Sequence, residues 1–304
     1  MSDEEGPFGW VESVVSPARD SVQKMMSAYM RPHLHGLFAG RARFTSSWPV
    51  RGIYGTAIGT HLLPRSTFAR LGLDPGRFKE VADRMRRSLL PSNLRSLDGV
   101  DVDDVLDFTL SHSISLYLVP RPSIAQALLD RRGDDAKVRA VLGTRRAEIS
   151  ADCRQVIEGC NSPKTQPYKD LALQALDAFD ADLFAPAQAM AANLLDGFML
   201  ALPEDLAAAA KNKGIRDKTT KRFSGETRKD FEARLEELAA WEGYVASTLW
   251  ATHLHYDKGK TPGSSFTRNA TAHGAGKGKQ YNRRSAIQAL MAVAGVLGYL
   301  EGLT

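Results

Sequence analysis

The stretch Phe266-Thr267-Arg268-Asn269-Ala270-Thr271-Ala272-His273-Gly274 gathers residue types that can do chemistry on a phosphodiester. RNA can be cut without a metal if its 2'-hydroxyl loses a proton and attacks the adjacent phosphorus. The reaction then needs one group to stabilise the charge on the phosphorane and another to protonate the leaving 5'-oxygen. Histidine, with an unperturbed pKa of about 6.5, gives or takes a proton near neutrality, and His273 suits that role. Arginine stays charged and offers phosphate oxygens a planar fork of donors, so Arg268 suits the developing charge. Asn269 can orient the imidazole or the scissile phosphate. Positions five apart on an ideal helix point about 140° from each other, so Arg268 has to reach around or the helix has to start irregularly. Pro262-Gly263-Ser264-Ser265 before it and Gly274, Gly276 and Gly278 after it leave room for that. The plain structural alternatives are a helix-end histidine bonded to a backbone carbonyl and a surface arginine held in a salt bridge.

Charge around this stretch is one-sided. From Lys258 to Leu300 the charged residues are Lys258, Lys260, Arg268, Lys277, Lys279, Arg283 and Arg284, with no acid among them. Lys277, Lys279, Arg283 and Arg284 are candidate contacts to an RNA backbone. A second run, Lys211, Lys213, Arg216, Lys218, Lys221, Arg222, Arg228 and Lys229, is diluted only by Asp217 and Glu226. The ordinary reading of either run alone is a solvated loop, and the formal net charge of +5 is too mild to establish a polyanionic partner.

The elements that must position these residues read as helices. Leu171, Ala175, Leu176, Phe179 and Leu183 form one apolar stripe; Met190, Leu194, Leu195, Phe198 and Leu202 form another. The strongest stripe is Phe231, Leu235, Leu238, Trp241, Val245 and Leu249, which reads as a single helix of five turns with Trp241 and Trp250 in the core. Asn282 is a candidate N-cap for a last helix lined by Ile287, Leu290, Ala294 and Leu297. Gly295 and Gly298, costly inside a helix, point to the close approach of another helix. The fold class is mainly α. A bundle of four or five helices spans 168–304, and a mostly helical amino-terminal region spans 1–160, with the boundary placed in the linker Asn161-Ser162-Pro163-Lys164-Thr165-Gln166-Pro167.

Within its bundle setting, Arg268-Asn269-x-x-x-His273-Gly274 resembles the Rx4-6H motif of the HEPN (higher eukaryote and prokaryote nucleotide-binding) superfamily. The polar position after the arginine is Asn269, and a glycine follows the histidine. The resemblance covers roughly residues 168 to 304. It implies a metal-independent endoribonuclease with Arg268, Asn269 and His273 as catalytic residues, needing no cofactor and having RNA as its partner. It also implies a homodimer in which two copies of the motif meet in one composite cleft, and a toxin or antiphage role restrained by an antitoxin or regulatory partner. Members that have lost catalysis serve as RNA-binding or protein-interaction modules, which is the alternative reading. A third is an unrelated helical interaction protein in which the motif is accidental.

The amino-terminal region, read as regulatory or targeting, is less legible. A helix follows Pro17, residues 41–63 show no clean period, and helices are expected over 77–90, 101–111, 122–132, 135–142 and 144–159. Ile114 to Val119 is short and bounded by prolines, and reads as the one strand of this region. The acidic amino terminus does not resemble an export signal, and Ala289 to Leu300 is too short to cross a bilayer; the expectation is a cytoplasmic protein with no membrane partner. Cys153 and Cys160, seven apart, have the wrong spacing for CxxC chemistry and read as reduced, packed thiols. His33 and His35, like His253 and His255, are two apart and face opposite sides of a helix. His253, His255 and Asp257 lack a complementary ligand set, so no metal site is expected. His61 and His112 read as buried and satisfied. Ser111, Ser113 and Ser115 show no nucleophile elbow.

Overall fold

The computed structural model describes residues 83–84, 87–211, 215–216, 223–224, 228–235, 238, 240–253, 266–273 and 281–303, with 215–216, 223–224, 233–234 and 273 by their backbone. The helix expected after Pro17, the stretch 41–63, His33, His35, His61, His255, Asp257, Lys277, Lys279 and the glycines at 274, 276 and 278 lie outside these residues. So do Lys213, Lys218, Lys221 and Arg222 of the second basic run.

The chain is mainly helical. Asp101 opens α1 (Val102–His112): its carboxylate accepts from the Asp104 N–H, and Asp104 returns the bond to the Asp101 N–H. The chain continues through α2 (Pro122–Leu129), α3 (Asp135–Thr144) and α4 (Arg146–Gly159). Beyond the expected linker come α5 (Gln166–Asp180), α6 (Phe184–Ala201) and α7 (Glu204–Ala210). Two two-residue strands, β1 (Ile215–Arg216) and β2 (Phe223–Ser224), pair antiparallel in a segment expected to be free of strands. The last helices are α8 (Arg228–Leu235), α9 (Ala240–Thr252), α10 (Arg268–His273) and α11 (Arg283–Glu301). None of the described helices is long and apolar enough to cross a membrane.

The core is organised around α11. Every residue from Ser285 to Leu300 is buried, and the helix packs against α3, α4, α5, α6 and α9. A helix with no polar face is an interior helix; the expectation of a single apolar stripe on it is corrected accordingly. The asparagine cap is as expected, the Asn282 side chain accepting from the N–H groups of Arg284 and Ser285, each at 3.0 Å. At the other end the Glu301 carboxylate accepts from the Thr165 hydroxyl at 2.6 Å and the Ser162 N–H at 3.0 Å. Burial opposes its ionisation, but these donors outweigh that and hold its pKa below the ordinary glutamate value. The segment read as a linker is thereby tied to α11. Helices before it (α1–α4) and after it (α5, α6, α9 and α11) share one hydrophobic core, so among the described residues no division falls there.

The five-turn helix expected from Phe231 to Leu249 is two helices. On a straight helix Phe231 and Trp250 would be about 28 Å apart; here their rings stack at 4.7 Å between centroids, so the chain turns between α8 and α9. Burying both rings requires the break, and Trp250 is a core residue as expected. The stripe on α5 is also narrower than expected: Ala172, Ala175, Leu176 and Phe179 are buried, while Leu171 and Leu183 are exposed.

Residues 114–119 do not form a strand. Ile114, Leu116 and Val119 are buried, but the backbone finds side-chain partners in place of a ladder: the Asn93 amide donates to the carbonyls of Leu116 and Pro120 at 3.2 and 2.8 Å. This irregular segment, and not a helix, accounts for Gly295. A Cβ there would stand 3.0 Å from the Tyr117 carbonyl oxygen and 3.1 Å from the Ser115 hydroxyl. At Gly298 a Cβ would meet Leu118 at 2.5 Å and Val156 of α4 at 3.2 Å. Cys153 and Cys160 are free and buried. Burial raises both thiols, Cys160 to about 12.

Gly295→Val is predicted to cost about 1–3 kcal/mol, because its methyls have no space beside a fixed carbonyl. Gly143→Ala in α3, where a Cβ would meet nothing within 4 Å, is predicted to add about 0.5–1 kcal/mol through helix propensity. Urea unfolding of the two variants should shift the midpoint in opposite directions.

Candidate functional site

The site is built on α10, a six-residue helix too short to stand alone. Thr267 caps it, its hydroxyl accepting from the Ala270 N–H at 3.2 Å. The preceding residue is fixed by α11: the buried Gln288 side chain accepts from the Phe266 N–H at 3.0 Å and donates to the His112 carbonyl at 3.3 Å. From α6, Gln188 donates to the Thr271 hydroxyl at 2.8 Å. The Tyr281 hydroxyl donates to the Thr271 carbonyl at 2.7 Å. Buried polar contacts of this kind set orientation as well as stability, since losing one partner strands the other.

Arg268 is the first residue of α10, and its guanidinium forms an ion pair with Asp196 of α6. A second donor of the same guanidinium reaches the Asn269 side-chain oxygen at 3.2 Å. The Asn269 amide donates to the His253 carbonyl at 2.9 Å. The His253 ring closes the loop, with Nε2 at 3.3 Å from the other Asp196 oxygen. Its Nδ1 lies 2.8 Å from the Leu249 carbonyl, one turn back on α9. Burial pushes the His253 pKa below the ordinary histidine value, and the bond to Leu249 works in the opposite direction. Asp196, His253, Arg268 and Asn269 thus form one cyclic polar network joining α6, the end of α9 and α10. The Arg268 side chain is 24% exposed and that of Asp196 39%, so the network is partly in contact with solvent.

Of the residues singled out from the sequence, the structure brings Arg268 and Asn269 together. His273 is the last residue of the same regular helix, which settles that no irregular start separates the two. Position 273 is therefore about 140° around the axis from position 268. Arg283 and Arg284 are exposed in the first turn of α11, two and three residues beyond Tyr281; the Arg283 guanidinium sits 5.3 Å from the centre of the Phe184 ring. Arg228, from the second basic run, is committed to the fold through Asp107 and Glu232, both at 2.7 Å.

Asp196, Gln188 and Gln288 carry no motif in the sequence. Asp196 lies near the polar edge of an otherwise apolar helix, and only the fold places it opposite Arg268. His253 reads in the sequence as a helix-end residue, and its Nδ1 contact is that; its Nε2 contact is what the sequence does not announce. His112 is buried as expected, with Nε2 at 2.9 Å from the Arg132 carbonyl and Nδ1 at 3.1 Å from Asp135. The Ser113 and Ser115 hydroxyls are engaged with the Ala251 carbonyl and the Thr248 hydroxyl. No cluster of three or more metal-ligating side chains occurs among the described residues.

Gln288→Leu is predicted to lower stability by about 2–4 kcal/mol, the cost of stranding a buried N–H and a buried carbonyl, with a correspondingly lower Tm in a thermal melt. An unchanged Tm would show that the segment entering α10 is held by other contacts.

No protein-family model, curated protein or solved structure matches the chain.

Proposed function

We propose that the chain is a metal-independent endoribonuclease of HEPN type that cuts RNA by attack of the substrate's own 2'-hydroxyl. The observation that carries this reading is the seating of the Arg268–His273 helix. The arginine is aligned by two partners, partly exposed and borne on a short element clamped from α6, α11 and Tyr281. Such prealignment is what electrostatic stabilisation of a phosphorane requires. In the proposed reaction His273 moves the proton, Arg268 stabilises the equatorial oxygens and Asn269 keeps the guanidinium in plane. Lys277, Lys279, Arg283 and Arg284 supply positive charge for the RNA backbone.

The angular separation of positions 268 and 273 supports a homodimer, in which each copy's arginine is complemented by the histidine of the other across a two-fold axis. A growth-arresting toxin or antiphage effector, cytoplasmic and restrained by an antitoxin or regulatory partner, is the biological setting this chemistry fits. One observation favours a second reading, a catalytically silent module that binds RNA through its other basic residues or binds a partner protein: the Arg268–Asp196 ion pair occupies the cation that catalysis would need.

Cleavage separates the two. Purified wild type, Arg268→Ala and His273→Ala incubated with total RNA in EDTA are predicted to differ by about a hundredfold or more in rate, the usual loss for such groups. Circular dichroism should be unchanged. Cleavage that persists in His273→Ala, or that requires Mg²⁺, contradicts the nuclease reading; RNA binding without cleavage in the wild type supports the silent module.

A further inference from the structure

The geometry of the network points to a coupling that rests on the RNA-binding role of Arg268 just proposed. We propose that an RNA phosphate displaces Asp196 from Arg268 and that the released carboxylate is neutralised by protonation of His253, so that binding RNA takes up a proton.

The argument starts from which atoms can donate. The Leu249 carbonyl only accepts, so the His253 nitrogen 2.8 Å from it, Nδ1, carries the hydrogen. In the neutral ring that leaves a lone pair on Nε2, and Nε2 faces a carboxylate oxygen of Asp196 at 3.3 Å. Two acceptors at that distance form no hydrogen bond. A proton on Nε2 would make one, assisted by both charges. In the free protein that proton is not demanded, because the Asp196 charge is already answered by Arg268 and burial favours the neutral ring.

An arriving phosphate changes the balance. The phosphate oxygens match the guanidinium fork, and Arg268 turns from carboxylate to phosphate. Asp196 is then an uncompensated anion beside Nε2, with a second anion nearby. Both favour the imidazolium, and one proton passes from solvent to Nε2. No covalent bond is made or broken. Among the described residues, the charged groups of the cluster are Asp196 from α6 and Arg268 from α10, and the other polar neighbours of His253 are the Asn269 amide, bonded to its carbonyl, and on α9 the Leu249 carbonyl and the Thr252 hydroxyl, the latter 3.4 Å from Nδ1.

The sign follows. The bound state holds more protons than the free state between the two His253 pKa values, so affinity rises as pH falls through that window and levels off below the free-protein value, with a limiting slope of about tenfold per pH unit for one proton. It also follows that Asp196 competes with RNA, and that its removal helps binding at high pH.

The test uses the whole 304-residue chain and a fluorescein-labelled single-stranded RNA with 2'-deoxy substitutions that block cleavage. Anisotropy titrations run from pH 5.5 to 8 at fixed ionic strength. Wild type should gain several-fold in affinity from pH 7.5 to 6, beyond any gain in His253→Gln. Asp196→Asn should lose the same component of the slope and bind at pH 8 at least as tightly as wild type. Calorimetry in two buffers of different ionisation enthalpy should show proton uptake in wild type that is reduced in both variants. Equal slopes in wild type and His253→Gln, or weaker binding of folded Asp196→Asn at pH 8, would overturn the coupling. Should His253→Gln fail to fold, Asp196→Asn still decides it. Unchanged binding by Arg268→Ala would instead overturn the RNA-binding role of Arg268 and leave the variants' slopes as a separate result.

Discussion

Helix α11 has no solvent-facing side between Ser285 and Leu300, and the described structure is arranged to keep it out of water. An interior helix must be surrounded, and α3, α4, α5, α6 and α9 supply the surround. Where a helix would be too thick, the irregular segment 113–120 fills the gap, and it can approach only because residues 295 and 298 have no side chain. The cost of glycine in a helix interior is offset by the close packing it allows. Glu301, at the exit from the core, accepts from the Thr165 hydroxyl and the Ser162 N–H at the start of α5, so the end of the central helix also fixes the beginning of another.

The candidate site inherits its geometry from this arrangement. Gln288 is a buried polar residue on the central helix, and its amide holds both the segment entering α10 and the end of α1. Asp196 is carried by α6, one of the helices packed on α11. His253 is the residue at which α9 leaves the core. Arg268 therefore meets Asp196 because α6 packs against both α11 and α10, and the ion pair they form is partly exposed. A buried ion pair tends to return in electrostatics little more than it costs in desolvation. In a partly exposed one the balance is closer still, so an exchange of one anion for another at Arg268 is thermodynamically feasible.

What the sequence made legible was local. Asp101 and Asn282 announce helix starts because an N-cap is a property of a few adjacent residues, and the helical class follows from apolar spacing that needs no tertiary information. The motif Arg268-Asn269-x-x-x-His273 is equally local, and the structure keeps it on one helix. What the sequence concealed was set by partners far along the chain. The stripe from Phe231 to Leu249 looks continuous, yet the Phe231–Trp250 contact breaks it. The segment 114–119 has strand-like residues but no strand beside it, only the Asn93 amide. Asp196 is 72 positions from Arg268, and nothing in its neighbourhood distinguishes it from any other solvated acid on an apolar helix.

The most direct test of the central claim, that Arg268 of one copy and His273 of the other act on the scissile phosphate of an RNA and that the attacking oxygen is the substrate's own, is the chemistry of the cut ends. A short RNA cleaved at one position in EDTA should yield a 2',3'-cyclic phosphate on one fragment and a 5'-hydroxyl on the other by mass spectrometry, and a single 2'-deoxy substitution at that position should abolish the cut. Products ending in a 5'-phosphate, or continued cutting of the 2'-deoxy substrate, would contradict it.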